Sequence, residues 1–158
     1  MIIAIDGPAA TGKSSTAKAV AEELGFMYLD TGAMYRAVTL AVLEKNISLT
    51  HDYDIKSFLA SLDLNILYLE KTLVIELDQV DVTKHIRDPK VTAKVSEVSA
   101  LPAVRKAMVK FQRKLVSDKD CIVEGRDIGT VVFPNADLKF YMIADSSIRA
   151  ERRKKDLL

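Results

Sequence analysis

Cysteine is almost absent: Cys121 stands alone among 158 residues, so no internal disulfide can form. With only two histidines beside it, a Cys/His zinc site cannot be assembled either. An excess of either charge is also missing. Lysine and arginine total 23 against 22 aspartates and glutamates, a formal net charge of +1. A general nucleic-acid binder shows a basic surplus, so no nucleic-acid partner is expected. A hydrophobic share of 49% excludes an acidic disordered chain. No apolar run approaches the ~20 residues that span a bilayer, so no membrane role is expected. Met1–Ile5 is apolar but gives way to Asp6, without a basic start or a small-residue cleavage site. No signal peptide is therefore expected, and the expected setting is the reducing cytoplasm. Internal repeats and low-complexity stretches are lacking. The length fits one domain at ~100–200 residues per domain.

What is present has a clear rhythm at the start. Met1–Ile5 is a short Ile-rich run ended by glycine, which predicts a buried parallel strand. From Lys13 the apolar residues Ala17, Val20, Ala21 and Leu24 recur at helical spacing, and Gly25 suits the position just past a helix end. Phe26–Leu29 predicts a second strand, and Ala33 to Glu44 a second helix with Ala37, Val38, Ala41 and Val42 as its stripe. Strand, helix, strand, helix in this order predicts an α/β fold with a parallel sheet. The middle departs from it. A short helix is expected at Asp54–Leu62, then strands at Leu62–Leu69, Leu73–Leu77 and near Val80–Val82, forming a small antiparallel meander set apart from the main sheet. Helices are expected at Pro89–Ser99 and Pro102–Ser117. Pro102 suits the first helical position, and Val104, Ala107, Met108, Phe111 and Leu115 form an apolar face. Asp120–Glu124 and Leu138–Ala144 read as further strands. A basic helix follows from near Ser147, with Asp145 or Ser146 as its cap. It reaches Leu158 without a stop signal, so the sequence reads as a truncated chain or as a record that stops early.

The chemistry-bearing segment is Gly7-Pro8-Ala9-Ala10-Thr11-Gly12-Lys13-Ser14, followed by Ser15. It matches G-x-x-x-x-G-K-[ST] at every fixed position, between a predicted strand and a predicted helix. Glycines let the backbone wrap a phosphate with its amides inward, and the helix N-terminus beyond favours an anion. Lys13 is expected on the β- and γ-phosphates of ATP, and the Ser14 hydroxyl on Mg²⁺. The motif specifies a nucleoside triphosphate and leaves the acceptor open.

Further segments bear on the acceptor, each with a plainer alternative. Asp30-Thr31-Gly-Ala-Met-Tyr-Arg36 follows the second strand, where ligands of open parallel sheets bind; the plainer alternative is a helix start capped by Thr31 with Arg36 solvated. Glu124-Gly-Arg126-Asp127 ends another buried strand. Glu124 there could hold a water on Mg²⁺ and Arg126 a phosphate, or the group could be a structural ion pair. Arg105 borders the apolar face of its helix and could snorkel into a cleft, but its position alone favours a plain surface arginine; Lys106, Lys110 and Arg113 read as solvated. Arg149, Arg152 and Arg153 on the basic helix could neutralise a transferring phosphoryl group or simply face solvent.

Taken together, Gly7–Ser15, Asp30–Arg36, Val95–Arg105 with Gln112-Arg113, and Gly125-Arg-Asp-Ile-Gly-Thr-Val-Val-Phe-Pro134 resemble bacterial cytidylate kinase along the whole chain. Val95 and Ser99 replace that family's usual alanines. The resemblance implies transfer of the ATP γ-phosphoryl group to CMP or dCMP, with Mg²⁺. It implies one P-loop kinase domain with its core at 1–30 and 118–146, a monophosphate-binding insert at about 31–117 containing the antiparallel sheet, the start of a lid at about 147–158, and a C-terminal strand and helix that this sequence does not include. It further implies that Thr31 and Arg36 lie beside the acceptor, that Ser96, Arg105 and Asp127 read the cytosine or its neighbourhood, and that Arg126 holds the CMP phosphate. Lys13, Arg126, Arg149 and Arg153 are the expected catalytic cations. A monomer acting on small nucleotides is expected. The remaining alternatives are a shikimate- or gluconate-type P-loop kinase, or a non-catalytic ATP-binding fragment.

Overall fold

The computed structural model describes residues 1–69 and 72–156. In chain order the strands are β1 (Ile2–Asp6), β2 (Met27–Asp30), β3 (Leu64–Leu69), β4 (Thr72–Leu77), β5 (Val80–Asp81), β6 (Cys121–Gly125) and β7 (Leu138–Tyr141). The helices are α1 (Lys13–Leu24), α2 (Thr31–Glu44), α3 (Asp52–Ser61), α4 (Pro89–Ala100), α5 (Pro102–Leu115) and α6 (Ser146–Asp156). The expected link between β3 and β4 at 70–71 and the end of the basic helix at 157–158 lie outside the described residues. Two compact units are present: Met1–Thr31 with the described chain from Val116 onward, and Gly32–Leu115.

In the first unit four parallel strands run in the order β2-β6-β1-β7. β1 is central, pairing Ile3 with Ile122 on one side and with Leu138 on the other. That placement explains its continuous apolar run, since both faces of such a strand are covered. Small residues let α1 approach the sheet: Ala17 and Ala21 are buried against Ile3, Ile5, Tyr28 and Ile122. Leu24, expected on this stripe, is instead 49% exposed. Gly25 turns the chain in the left-handed region at φ 67°, and the Phe26 N–H bonds the Ala21 carbonyl at 2.9 Å, so Phe26 packs on the cluster instead. β7 also ends earlier than expected, at Tyr141. Its ladder closes with the Met142 N–H on the Asp6 carbonyl at 2.7 Å, where β1 itself ends and gives no further partner. Ile128–Val132 forms one wide helical turn where no element was expected.

The second unit holds α2 to α5 and the antiparallel sheet β3-β4-β5, the meander expected from the sequence. Leu64 pairs with Leu77 and Leu67 with Val74, and Ile75 and Leu77 are buried. α3 starts at Asp52, before the expected Asp54; both aspartates occupy its first turn, where the helix dipole favours negative charge. α2 buries Ala37, Val38, Ala41 and Val42 as expected, and also Met34 and Leu40. On α5 the buried face is rotated from the expected one. Val104, Met108 and Gln112 are buried, whereas Ala107, Phe111 and Leu115 are only half-buried.

Candidate active site

The turn between β1 and α1 is shaped by backbone that only a few residue types accept. Gly7 sits at φ +148°, and a Cβ there would lie 2.3 Å from the Met142 carbonyl oxygen. Ala10 and Gly12 are left-handed at φ 60° and 96°. α1 begins directly at Lys13, so the amides of its first turn have no partners within the helix and suit an anion. Ser14 and Ser15 are exposed in that first turn.

The cations around this loop rest on its carbonyls. Lys13 is buried, and its Nζ donates to the Pro8 carbonyl at 2.7 Å. Arg149 Nε donates to Ala9 O at 2.9 Å and Arg152 Nη1 to Ala10 O at 3.3 Å. The Thr11 hydroxyl donates to Pro8 O at 3.1 Å. Burial, followed by the Arg126 charge, lowers the Lys13 ammonium below its ordinary pKa. Three positive side chains converge on one phosphate-sized turn. Arg153, half-buried on the same helix, makes no bond to the loop among the described residues. Arg152, its neighbour, makes such a bond; the two lie three and four residues beyond Arg149, both within reach of its helix face.

Glu124, at the end of β6, is 3% exposed. Its Oε2 accepts from Ser14 Oγ at 3.0 Å, and its Oε1 accepts from the Tyr28 hydroxyl. Burial, followed by the neighbouring Asp30 charge, pushes its carboxyl above the ordinary carboxylate range. The Tyr28 hydroxyl is pushed strongly upward, chiefly by burial, and donates. Ser14 and Glu124 thus present two hard oxygen donors at hydrogen-bond distance. No cluster of three or more His, Cys, Asp or Glu suited to a metal occurs among the described residues. One or two protein oxygens completed by phosphate and water is the usual environment of Mg²⁺, so the donor set fits that ion.

Beyond Glu124 the chain is anchored from β1. The buried Asp6 carboxylate accepts the Ile128 N–H at 2.7 Å and the Gly129 N–H at 2.8 Å. This clamps the turn that carries Arg126, which is exposed, and Asp127, which is half-buried. Asp127 in turn accepts the Val131 N–H on its carbonyl at 2.9 Å. Gly125 is required for closeness, since a Cβ there would lie 2.6 Å from Thr31 Oγ1 and 2.7 Å from Ile128 Cδ1. The Thr31 hydroxyl does not cap α2; it donates to the Glu124 carbonyl at 2.7 Å. Sequence reasoning missed Asp6 and Tyr28. A charged residue ending an apolar strand was the available signal for Asp6; Tyr28 gave none.

In the second unit, Arg36 Nη1 donates to Thr92 Oγ1 at 2.8 Å and reaches the Ile86 carbonyl at 3.5 Å. Its guanidinium is therefore held to α4 and the preceding turn. Ser96 is exposed on α4, and Arg105 is half-buried on α5.

The family model for cytidylate kinase matches residues 3–158. The chain belongs to the cytidylate kinase family. Relatives named cytidylate kinase include one from Carboxydothermus hydrogenoformans, 48% identical over all of this chain and 71% of its own length. One from Chloroherpeton thalassium is 50% identical over 99% of this chain and 66% of the relative. A third, from Halalkalibacterium halodurans, is 46% identical over 99% and 70%. Family membership makes the protein a nucleoside monophosphate kinase with ATP as phosphate donor, and it disfavours the shikimate- or gluconate-type alternative. No described helix is long and apolar enough to cross a membrane.

Proposed function

We propose that this cytidylate kinase family member transfers the γ-phosphoryl group of ATP to CMP or dCMP, giving ADP and CDP or dCDP, with the residues around the phosphate loop as its machinery. The observation that carries the reading is the convergence of Lys13, Arg149 and Arg152 on the carbonyls of Pro8, Ala9 and Ala10. Cations parked on neutral carbonyls exchange these weak partners for phosphate oxygens with a gain, because charge-assisted hydrogen bonds are the stronger ones. Lys13 takes the β- and γ-phosphates. The loop Gly7–Gly12 and the first-turn amides of Ser14 and Ser15 hold the remaining oxygens. Arg126, Arg149 and Arg153 neutralise charge as the phosphoryl group passes. Ser14 and, through water, Glu124 hold Mg²⁺, which supplies further neutralisation of the phosphate oxygens. The acceptor phosphate is already an anion, so no general base is required; the difficulty is bringing two polyanions into line.

The residues assigned to the acceptor in this reading are Thr31, Asp127 and Arg126 in the first unit, with Arg126 on the CMP phosphate, and Arg36, Ser96 and Arg105 in the second. The support for Asp127 is its clamped turn, and for Arg36 the fixed guanidinium. The protein is read as one kinase domain working as a cytoplasmic monomer on two small nucleotides, without nucleic acid. CMP-dependent release of ADP, lost on Lys13→Ala, is the test.

A further inference from the structure

We propose that Tyr28 is a positioning residue for phosphoryl transfer: its hydroxyl holds the Glu124 carboxylate so that the opposite oxygen receives the Ser14 hydroxyl and leaves the Ser14 lone pairs available to a metal. The inference rests on the reading that Ser14 and Glu124 serve Mg²⁺.

The geometry is a three-member chain within one unit. Tyr28 Oη donates to Glu124 Oε1, and Ser14 Oγ donates to Glu124 Oε2 at 3.0 Å. An ionised carboxylate only accepts, so both hydroxyls must point their protons at it. The Ser14 oxygen then has its lone pairs left for a cation, the orientation a metal ligand needs. The terminal torsion of a glutamate is broad and weakly restrained. The bond from Tyr28 is therefore a second restraint on that torsion, beside the one from Ser14.

Tyr28 has an apolar task that phenylalanine would perform as well. The residue is 5% exposed and packs with Ile3, Ile5, Ala17, Ala21 and Ile122. Lys18 Nζ lies over the ring, 5.6 Å from its centroid. In register Tyr28 pairs with Ile122 and Asp30 pairs with Glu124. The hydroxyl therefore reaches along the sheet from the core to the carboxylate. A core position needs no such donor, and a buried hydroxyl must be satisfied; the partner it finds is the site's own carboxylate.

The experiment compares Tyr28→Phe with the parent by calorimetry, titrating ATP with Mg²⁺ and ATP with a chelator, alongside melting curves. Partners that orient metal ligands typically cost about 10–100-fold when removed. The expected result is a loss of about tenfold in Mg²⁺·ATP affinity, with chelated-ATP affinity unchanged within about twofold and a cooperative melt retained. A loss shared equally by both forms of ATP, no loss in either, or a variant without a cooperative melt overturns the proposal. Combining Tyr28→Phe with Ser14→Ala is a second check. A residue acting through Glu124 on Ser14 adds little to Ser14→Ala, whereas an independent packing role adds in full. Glu124→Gln separates the proposal from the reading beneath it. If Glu124→Gln removes the metal-dependent gain and Tyr28→Phe does not, only the Tyr28 proposal falls. If neither removes it, the placement of Glu124 at the metal falls as well.

Discussion

Replacing Asp6 by asparagine changes two hydrogen bonds and almost no volume, so its effect can be worked out closely. The Asp6 carboxylate accepts the Ile128 and Gly129 amides at 2.7 and 2.8 Å in a buried setting. Bonds to a charged partner contribute about 1.5–3 kcal/mol each. Asparagine keeps one acceptor oxygen, without its charge, and sets an NH₂ group against the second amide. One strong bond is lost and a buried N–H is orphaned, for a cost of about 2–4 kcal/mol. A domain of ordinary stability, about 5–15 kcal/mol, survives this, so the variant is expected to fold. Urea unfolding followed by circular dichroism should show a lower midpoint with an unchanged slope. The same change frees the turn carrying Arg126 and Asp127. The KM for CMP should rise by about tenfold or more, while that for ATP changes less. A midpoint equal to the parent's would refute the clamp, and an ATP effect larger than the CMP effect would refute its link to the acceptor side.

Glu124→Gln should inactivate and stabilise at once. The carboxyl titrates above its ordinary range because it is buried beside Asp30. The folded chain thus holds this proton more tightly than the unfolded one. Stability is fullest below the ordinary carboxyl value, falls as pH rises through the raised one, and is lowest above it. Glutamine removes that dependence, so melting temperatures should exceed the parent's at pH 8 and converge toward pH 4, while turnover drops by about 10–100-fold or more. Arg105→Met should raise the KM for CMP about tenfold or more and leave that for ATP within about twofold, as steady-state kinetics with each nucleotide varied would show; a change in the ATP value alone would contradict the assignment of Arg105.

The parts legible in the sequence were those whose signal is local. A strand, a glycine turn and a helix announce themselves by a change of apolar period and by residues that accept unusual backbone, as at Gly12 and Gly25. The meander at 64–81 was readable for the same reason. Side-chain partnerships were not. Tyr28 looks like any strand residue until its hydroxyl meets Glu124 across the parallel pairing of β2 and β6. Asp6 looks like the end of a strand until it holds Ile128 and Gly129. Gln112 looks solvated beside Arg113, yet its place on the row of Val104 and Met108 buries it. Its amide atoms have no hydrogen-bond partner among the described residues. Thr31 had the composition of a helix cap, but a neighbouring strand end offered its hydroxyl a better acceptor in the Glu124 carbonyl. Such outcomes depend on which distant segments meet, and apolar periodicity carries no information about that.

The central claim is phosphoryl transfer from ATP to a cytidine monophosphate by the cations gathered at the phosphate loop. Coupled ADP release measured with CMP, dCMP, UMP and AMP as acceptors, on the parent and on Lys13→Ala, tests it most directly. Turnover should be highest with CMP or dCMP and should fall far more than tenfold on Lys13→Ala, tenfold being only about 1.4 kcal/mol of transition-state stabilisation. Turnover that prefers AMP, or a Lys13→Ala protein within tenfold of the parent, would contradict the account.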